Sequence, residues 1–273
     1  MKNDLNQIIR VVKQILGKEI SFFDTTFLLR TFEKRLSVTN CISFDMYQDL
    51  LRSDPNEIDF FYNSLIIPFS EFFRNPLTFS LLEQIFLPQI IQRKIQTRQR
   101  EIRIWSAACA GGQEAYSLAI ILEELLSRSD KKLTYRIFAT DLQEKQIEEA
   151  RRGNYSENAL GQVSMKRLNR WFKKDGNNFA IYPVLRDHID FSVFDLLDQQ
   201  LFSPPASIFG DFDLIICANL LFYYNAESRK TIIRKVGNSL AVDGYLVTGE
   251  TEREILLKLN YHEIFDQTAI FQV

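Results

Sequence analysis

The stretch "RIWSAACAGGQEAYSLAIIL", residues 103–122, limits the fold more than any other part of the chain. A short apolar run ends in small residues, crosses two adjacent glycines and continues with the spacing of an amphipathic helix. A strand that turns this tightly into a helix can bring its backbone against a ligand, because glycine reaches dihedral angles closed to other residues. The same alternation recurs downstream. "YRIFATD" reads as a second strand ending at Asp141, and "LQEKQIEEARRG" as a helix stopped at Gly153. "HIDFSVFDLL" holds a third strand and "FDLIICANLLFYY" a fourth, apolar on both faces. "NAESRKTIIRKVGNSL" reads as a helix capped by Asn225, "VDGYLVTGE" as a turn and a strand, and "AIFQV" as the last strand. Strands alternating with helices predict an α/β fold with a mostly parallel, doubly wound, Rossmann-like sheet. Such sheets bind ligands outside the carboxyl ends of their strands.

The residues before this pattern read as helices. "MKNDLNQIIRVVKQILGKEI" puts Leu5, Ile8, Ile9, Val12, Ile15 and Leu16 on one face, as a packed amphipathic helix does. "SFDMYQDLL" opens with Ser43 as a cap; "DPNEIDFFYNSLI" has Asp54 as cap, Pro55 in the first turn and Glu57 three residues after the cap. A further helix begins at Asn75-Pro76, with a kink expected at Pro88. The expected division is an all-helical domain over residues 1–75 and a ligand-binding domain over 76–273. Residues 154–190 interrupt the alternation with a helix and a "DGNN" hairpin, which predicts a small inserted β-subdomain.

Bulk properties exclude several classes. A net charge of −2 gives no basic field for nucleic acid. Cys41, Cys109 and Cys217 form no paired framework, which suits a reduced, cytoplasmic setting. His188 and His262 are the only histidines and stand far apart, so no metal site is expected. No apolar run reaches the roughly 18 residues of a membrane span. A monomer is expected.

The turn after the first strand is not GxGxxG, and Glu114 just beyond it would repel a phosphate. S-adenosylmethionine (AdoMet) has no phosphate and carries an ammonium and a sulfonium, so this charge pattern favours it over NAD or ATP. Asp141 is placed to accept ribose hydroxyls, and Asp195 an adenine amino group. Spacing alone leaves a generic Rossmann-like site open beside this reading, with the two aspartates as mere helix or turn residues.

Four segments together, "IPFSEFFRNPLTFSLL", "RIWSAACAGGQEAYSLAI", "FATDLQEKQIEEARRGNY" and "FDLIICANLLFYYNAESRKTII", resemble the CheR-type methyltransferases, which methylate glutamate side chains on chemotaxis receptors. The resemblance covers nearly the whole chain and implies AdoMet as cofactor, with S-adenosylhomocysteine as product. The family's FFR arginine corresponds to Arg74, and the threonine four residues earlier to Ser70. Its acidic residue at the methionyl end corresponds to Glu114 and its ribose-binding aspartate to Asp141, with Ala108, Gly111 and Leu142 beside them. Its adenine-site asparagine-leucine pair appears as Asp195-Leu196, and its later asparagine and tyrosine as Asn219 and Tyr223. The resemblance makes Arg74 and Tyr223 the candidates for orienting the reacting carboxylate or the cofactor, with Arg74 also expected to bind the cofactor. This sequence departs from the family at Pro68, at Ala218 where an arginine is usual, at Gln113, and in "TGET", which lacks a histidine.

A glutamate is already ionised at neutral pH, so its methylation needs no general base. Alignment and a dry site are what the protein must supply. On "LLRTFEKRL", the basic side chains of Arg30, Lys34 and Arg35 are expected to face an acidic receptor helix. The alternative to an active enzyme is a divergent AdoMet- or S-adenosylhomocysteine-binding regulatory module with weak or no catalysis.

Overall fold

The computed structural model describes residues 2–127, 133–207 and 209–272, without the side chains of residues 2–4. Val273, expected in the last strand, lies outside the described residues. The chain forms two compact units, one of residues 1–67 with 221–231 and one of residues 68–220 with 232–273. No helix among the described residues is long and apolar enough to cross a membrane.

Described residues 2–67 of the first unit form the helices α1 (Lys2–Leu16), α2 (Thr25–Thr39), α3 (Phe44–Ser53) and α4 (Pro55–Ser64). Their starts follow the sequence. The Asp24 carboxylate accepts the Thr26 and Phe27 N–H groups, Ser43 Oγ accepts Met46 N–H, and Asp54 accepts Asn56 N–H. Each cap satisfies donors that the first turn leaves without partners. Ile8, Val12, Leu28, Phe32, Tyr47 and Phe61 fill the core. Two details depart from expectation. Ile15, in the last turn of α1, is exposed, and Val11 is buried in the core instead. Glu57 does not serve the α4 cap. It is buried and takes Arg35 through both oxygens, at 2.9 and 2.5 Å, and the Tyr47 hydroxyl at 2.6 Å. Arg35 is thereby drawn away from the exposed face that Arg30 and Lys34 share.

A segment far along the chain completes this unit. The Tyr223 carbonyl accepts Asp24 N–H at 2.8 Å, and Phe22 O accepts Asn225 N–H at 2.9 Å. Tyr224 pairs with Phe23 in a β-bridge, their rings stacked at 5.5 Å.

The second unit opens with α5 (Pro76–Leu81), a π-helical turn (Leu82–Phe86) and α6 (Leu87–Gln96). The expected kink at Pro88 takes this form. Leu87 N–H reaches back five residues to Leu82 O. The widened turn precedes a proline that has no N–H to give. Next come β1 (Glu101–Ala107), α7 (Gln113–Leu126), β2 (Thr134–Asp141) and α8 (Glu144–Arg152). The insertion follows: β3 (Asn154–Ser156), α9 (Met165–Trp171), β4 (Phe172–Asp175), β5 (Asn178–Ile181) and the short α10 (Pro183–Arg186). The chain returns through β6 (Ile189–Val193), β7 (Phe212–Ile216), α11 (Ala226–Asn238), β8 (Leu240–Val247), α12 (Arg253–Leu257), β9 (His262–Glu263) and β10 (Ile270–Gln272).

Seven strands form one sheet in the order β6-β2-β1-β7-β8-β10-β9, parallel from β6 to β8 and antiparallel at β10 and β9. This is the doubly wound sheet the alternation predicts. β3, β5 and β4 form the separate antiparallel sheet of the insertion, whose hairpin turns at Gly176-Asn177. "VDG" is not a free turn: it lies inside β8, opposite a register shift between Phe212 and Leu214. At the start of β7, buried Asp213 accepts Lys94 at 2.9 Å, Arg93 at 3.1 Å and Arg103 N–H at 3.0 Å, fastening α6 and β1 to the sheet. Burying a carboxylate needs such partners.

Glu57→Ala leaves the Arg35 guanidinium and the Tyr47 hydroxyl without their acceptor. Urea denaturation followed by helical circular dichroism is expected to show the first unit about 3–5 kcal/mol less stable.

Candidate active site

The site candidates of the second unit cluster at the carboxyl ends of β6, β2, β1, β7 and β8, which are neighbours in the sheet. The turn after β1 is built from left-handed residues: Ala108 (φ 63°), Ala110 (φ 46°) and Gly112 (φ 86°). Alanine in that region costs roughly 1–2 kcal/mol, so the turn must be held from outside. β2 holds it. Cys109 N–H donates to Thr140 O at 2.8 Å, and Ala110 N–H to Asp141 Oδ2 at 2.9 Å. Asp141 Oδ1 accepts Gln143 N–H at 3.0 Å, and Phe194 N–H donates to Asp141 O at 2.9 Å. This last bond places Asp195 and buried Leu196 beside the same edge; Asp195 itself is exposed and accepts Leu197 N–H at 2.8 Å. Leu142 is exposed at the end of β2.

The two glycines have different duties. A Cβ on Gly112 would lie 2.8 Å from Ala150 Cβ and 3.1 Å from Phe191 Cε1, so Gly112 lets α7 pack against α8 and β6. The three atoms nearest a Cβ on Gly111 would all belong to the flexible Gln113 side chain, the closest at 3.1 Å.

Glu114, in the first turn of α7, is half-buried and accepts the Ser106 hydroxyl at 2.6 Å. Burial raises its pKa to about 7, against the lowering effects of the Ser106 hydrogen bond and the Arg74 charge; the charge of Glu252 adds to the rise. Burial also raises Asp141, opposed by its backbone N–H donors. The Cys109 and Cys217 thiols are pushed far up, chiefly by burial, which fits packing rather than nucleophilic roles.

Arg74 is set by its neighbours. Phe72 and Phe73 are buried, Phe73 N–H donates to Ser117 Oγ at 2.9 Å, and Arg167 lies 4.7 Å over the Phe73 ring. Arg74 then folds back, donating to Phe69 O at 3.1 Å with its guanidinium 5.1 Å over the Phe69 ring, next to half-buried Ser70. After β7, left-handed Asn219 (φ 62°) donates its N–H to Glu252 at 2.7 Å. Glu252 had no sequence signal, since it is one of three glutamates in the polar run "GETERE" and nothing there sets it apart. Tyr223 belongs to the other unit, where its ring packs 4.9 Å from Phe27.

These residues suit AdoMet. Glu114 forms no ion pair among the described residues, and the Gln113 Oε1 beside it is buried without a partner. A half-buried carboxylate beside a buried, unpartnered amide oxygen calls for a cation or donor from a ligand. Asp141 uses two of about four acceptor positions, on Ala110 N–H of the turn after β1 and on Gln143 N–H of its own loop, which leaves room for hydroxyl donors.

The family model of the CheR methyltransferase SAM-binding domain matches residues 68–269, and that of the CheR methyltransferase all-alpha domain residues 3–66. The chain belongs to the CheR methyltransferase family. A chemotaxis protein methyltransferase of Listeria innocua is 31% identical over 93% of this chain and 91% of its own length. Chemotaxis protein methyltransferase 1 of Pseudomonas aeruginosa is 36% identical over 66% of this chain and 64% of its own. An uncharacterized 104.1 kDa protein of Rhodobacter capsulatus is 29% identical over 98% of this chain, which spans 27% of that relative's length. The family's second domain binds AdoMet, so the sheet unit is an AdoMet-dependent methyltransferase domain.

Glu114 makes stability depend on pH. The folded, ligand-free protein holds a proton to about pH 7, whereas the unfolded chain releases it near 4.5. This contribution, on the order of 3 kcal/mol, is complete below the unfolded value and lost as pH rises through the folded one. Glu114→Gln is therefore expected to melt several degrees above the parent at pH 8 without AdoMet, and level with it at pH 5, by calorimetry.

Proposed function

We propose that this protein forms methyl esters on glutamate side chains in the cytoplasmic helical region of a chemoreceptor or a receptor-like protein, with AdoMet as methyl donor. The observation that carries the reading is Glu114, a half-buried carboxylate without an ion pair among the described residues, at the mouth of a strand–turn–helix that suits a phosphate-free adenosyl ligand. Bound AdoMet would supply a sulfonium methyl, which the substrate carboxylate attacks in line as S-adenosylhomocysteine leaves.

The residues then divide the work. Glu114 receives the ammonium, Asp141 the ribose hydroxyls, and Asp195 with Leu196 the adenine. Ala108, Gly111 and Leu142 line the approach, and Ser70 and Asn219 contact the cofactor. Arg74 is restrained by Phe69, so its charge is available to orient a carboxylate without a full bidentate grip. A grip equally tight before and during reaction would not speed it. Tyr223 is the second orienting candidate. Arg30 and Lys34, both exposed, would steer an acidic helix, and Arg35 would support them through its pairing with Glu57. The protein would act in the cytoplasm as a monomer.

Radiolabelled AdoMet and a receptor cytoplasmic fragment test the reading. Base-labile label on the fragment is the expected result, and its absence with receptors from the same genome would count for the regulatory alternative. Arg74→Ala and Tyr223→Phe should each slow transfer by about 100-fold, ~2.7 kcal/mol of barrier. In calorimetry, AdoMet affinity should fall as pH drops from 8 to 6, because a protonated Glu114 cannot pair with the ammonium.

A further inference from the structure

Two loops are tied together by one carboxylate. Asn219 N–H donates to Glu252 Oε2 at 2.7 Å and Leu220 N–H to Oε1 at 2.6 Å. From the other loop, Gly249 N–H donates to Oε2 at 2.8 Å. Glu252 has no exposed surface. The loops follow β7 and β8, which are adjacent in the sheet. A carboxylate has about four acceptor positions on two oxygens and can take three donors, whereas an amide has one oxygen and an NH2 that would face a donor. The fit is close. A Cβ on Gly249 would lie 2.9 Å from Glu252 Oε2 and 3.0 Å from the Asn219 nitrogen, although Gly249 itself has an ordinary φ of −69°.

The same carboxylate acts on the cofactor pocket. Glu114 feels the charges of Glu252 and Arg74 and the Ser106 hydroxyl, and the Cys109 and Cys217 thiols also lie within its electrostatic reach. We propose that Glu252 is a positioning residue: its carboxylate holds the left-handed Asn219 turn in the shape that receives AdoMet and adds a second negative charge to the Glu114 pocket. This rests on reading Glu114 and Asn219 as cofactor-binding residues. It gives a conformational and an electrostatic duty to a residue that need not touch the reacting atoms.

The test compares the parent with Glu252→Gln and Glu252→Asp by amide hydrogen exchange without ligand and by AdoMet calorimetry across pH. The parent should protect the Asn219, Leu220 and Gly249 amides. Glu252→Gln should speed their exchange at least tenfold, weaken AdoMet at least tenfold, and move the midpoint of the pH dependence below the parent's value. Glu252→Asp keeps the charge with a shorter reach, so it should retain the midpoint while losing part of the protection. Unchanged exchange and affinity in a folded Glu252→Gln protein overturn the proposal, as does weaker binding with an unmoved midpoint. If Glu252→Gln does not fold, the aspartate variant and the parent decide, and fast exchange of the three amides in the parent overturns it. If the parent binds no AdoMet, the proposed function falls, and exchange alone judges the Glu252 clamp.

Discussion

The hydrogen bond from Ala110 N–H to Asp141 carries the architecture of the site. The turn between β1 and α7 passes through three left-handed residues, two of them alanines. Such a turn does not hold itself. Asp141, at the end of the neighbouring strand, supplies the anion that fixes it, and the Cys109–Thr140 backbone bond shares the load. Because the turn is fixed, α7 starts where Glu114 meets Ser106. Because Asp141 O also takes Phe194 N–H, the exit of β6 is drawn to the same edge. One aspartate thus sets the relation of three loops.

The cost of this design is charge. Glu252 is buried and Glu114 and Asp141 are half-buried at one end of a sheet, and desolvation raises both Glu114 and Asp141. A protein selected for stability alone would replace Glu114 with an amide. Keeping it trades resting stability for affinity toward a cation, a common bargain at functional sites. Asp213, at the opposite end of β7, has no such tension: Lys94 and Arg93 neutralise it.

Much of this was legible in the sequence because it is local. Period and glycine placement gave the strand–turn–helix order, the caps at Ser43, Asp54 and Asn225 are used, and the DGNN hairpin forms. What stays hidden in the sequence is contact between residues distant along the chain. Glu57 has the spacing of a cap partner, yet Arg35 and Tyr47 claim it from two other helices. Tyr223 follows an apolar strand, yet its segment pairs with residues 22–24 of the helical unit. Gly111 and Gly112 look alike, and only Ala150 and Phe191 distinguish them. Glu252 is invisible until the loops after β7 and β8 close around it.

The departures from the family can now be weighed by position. Pro68 lies in an irregular, exposed stretch, where a fixed φ and a missing N–H remove no strand or helix bond. Ala218 follows Cys217, whose N–H is held by Val247 O, and it packs against the core, so the loop does not need an arginine to keep its course. What Ala218 withholds is a cation. With Arg74 engaged on Phe69 and no arginine at 218, the negative charge of Glu114 and Glu252 is offset less by the protein itself. The larger share must come from the ligand. AdoMet bears one more positive charge than S-adenosylhomocysteine, so a pocket short of its own cations gains more from the charged donor than from the neutral thioether product. On this argument the change at 218 sharpens the distinction between methyl donor and product, and it removes none of the groups that an already ionised glutamate needs in order to attack.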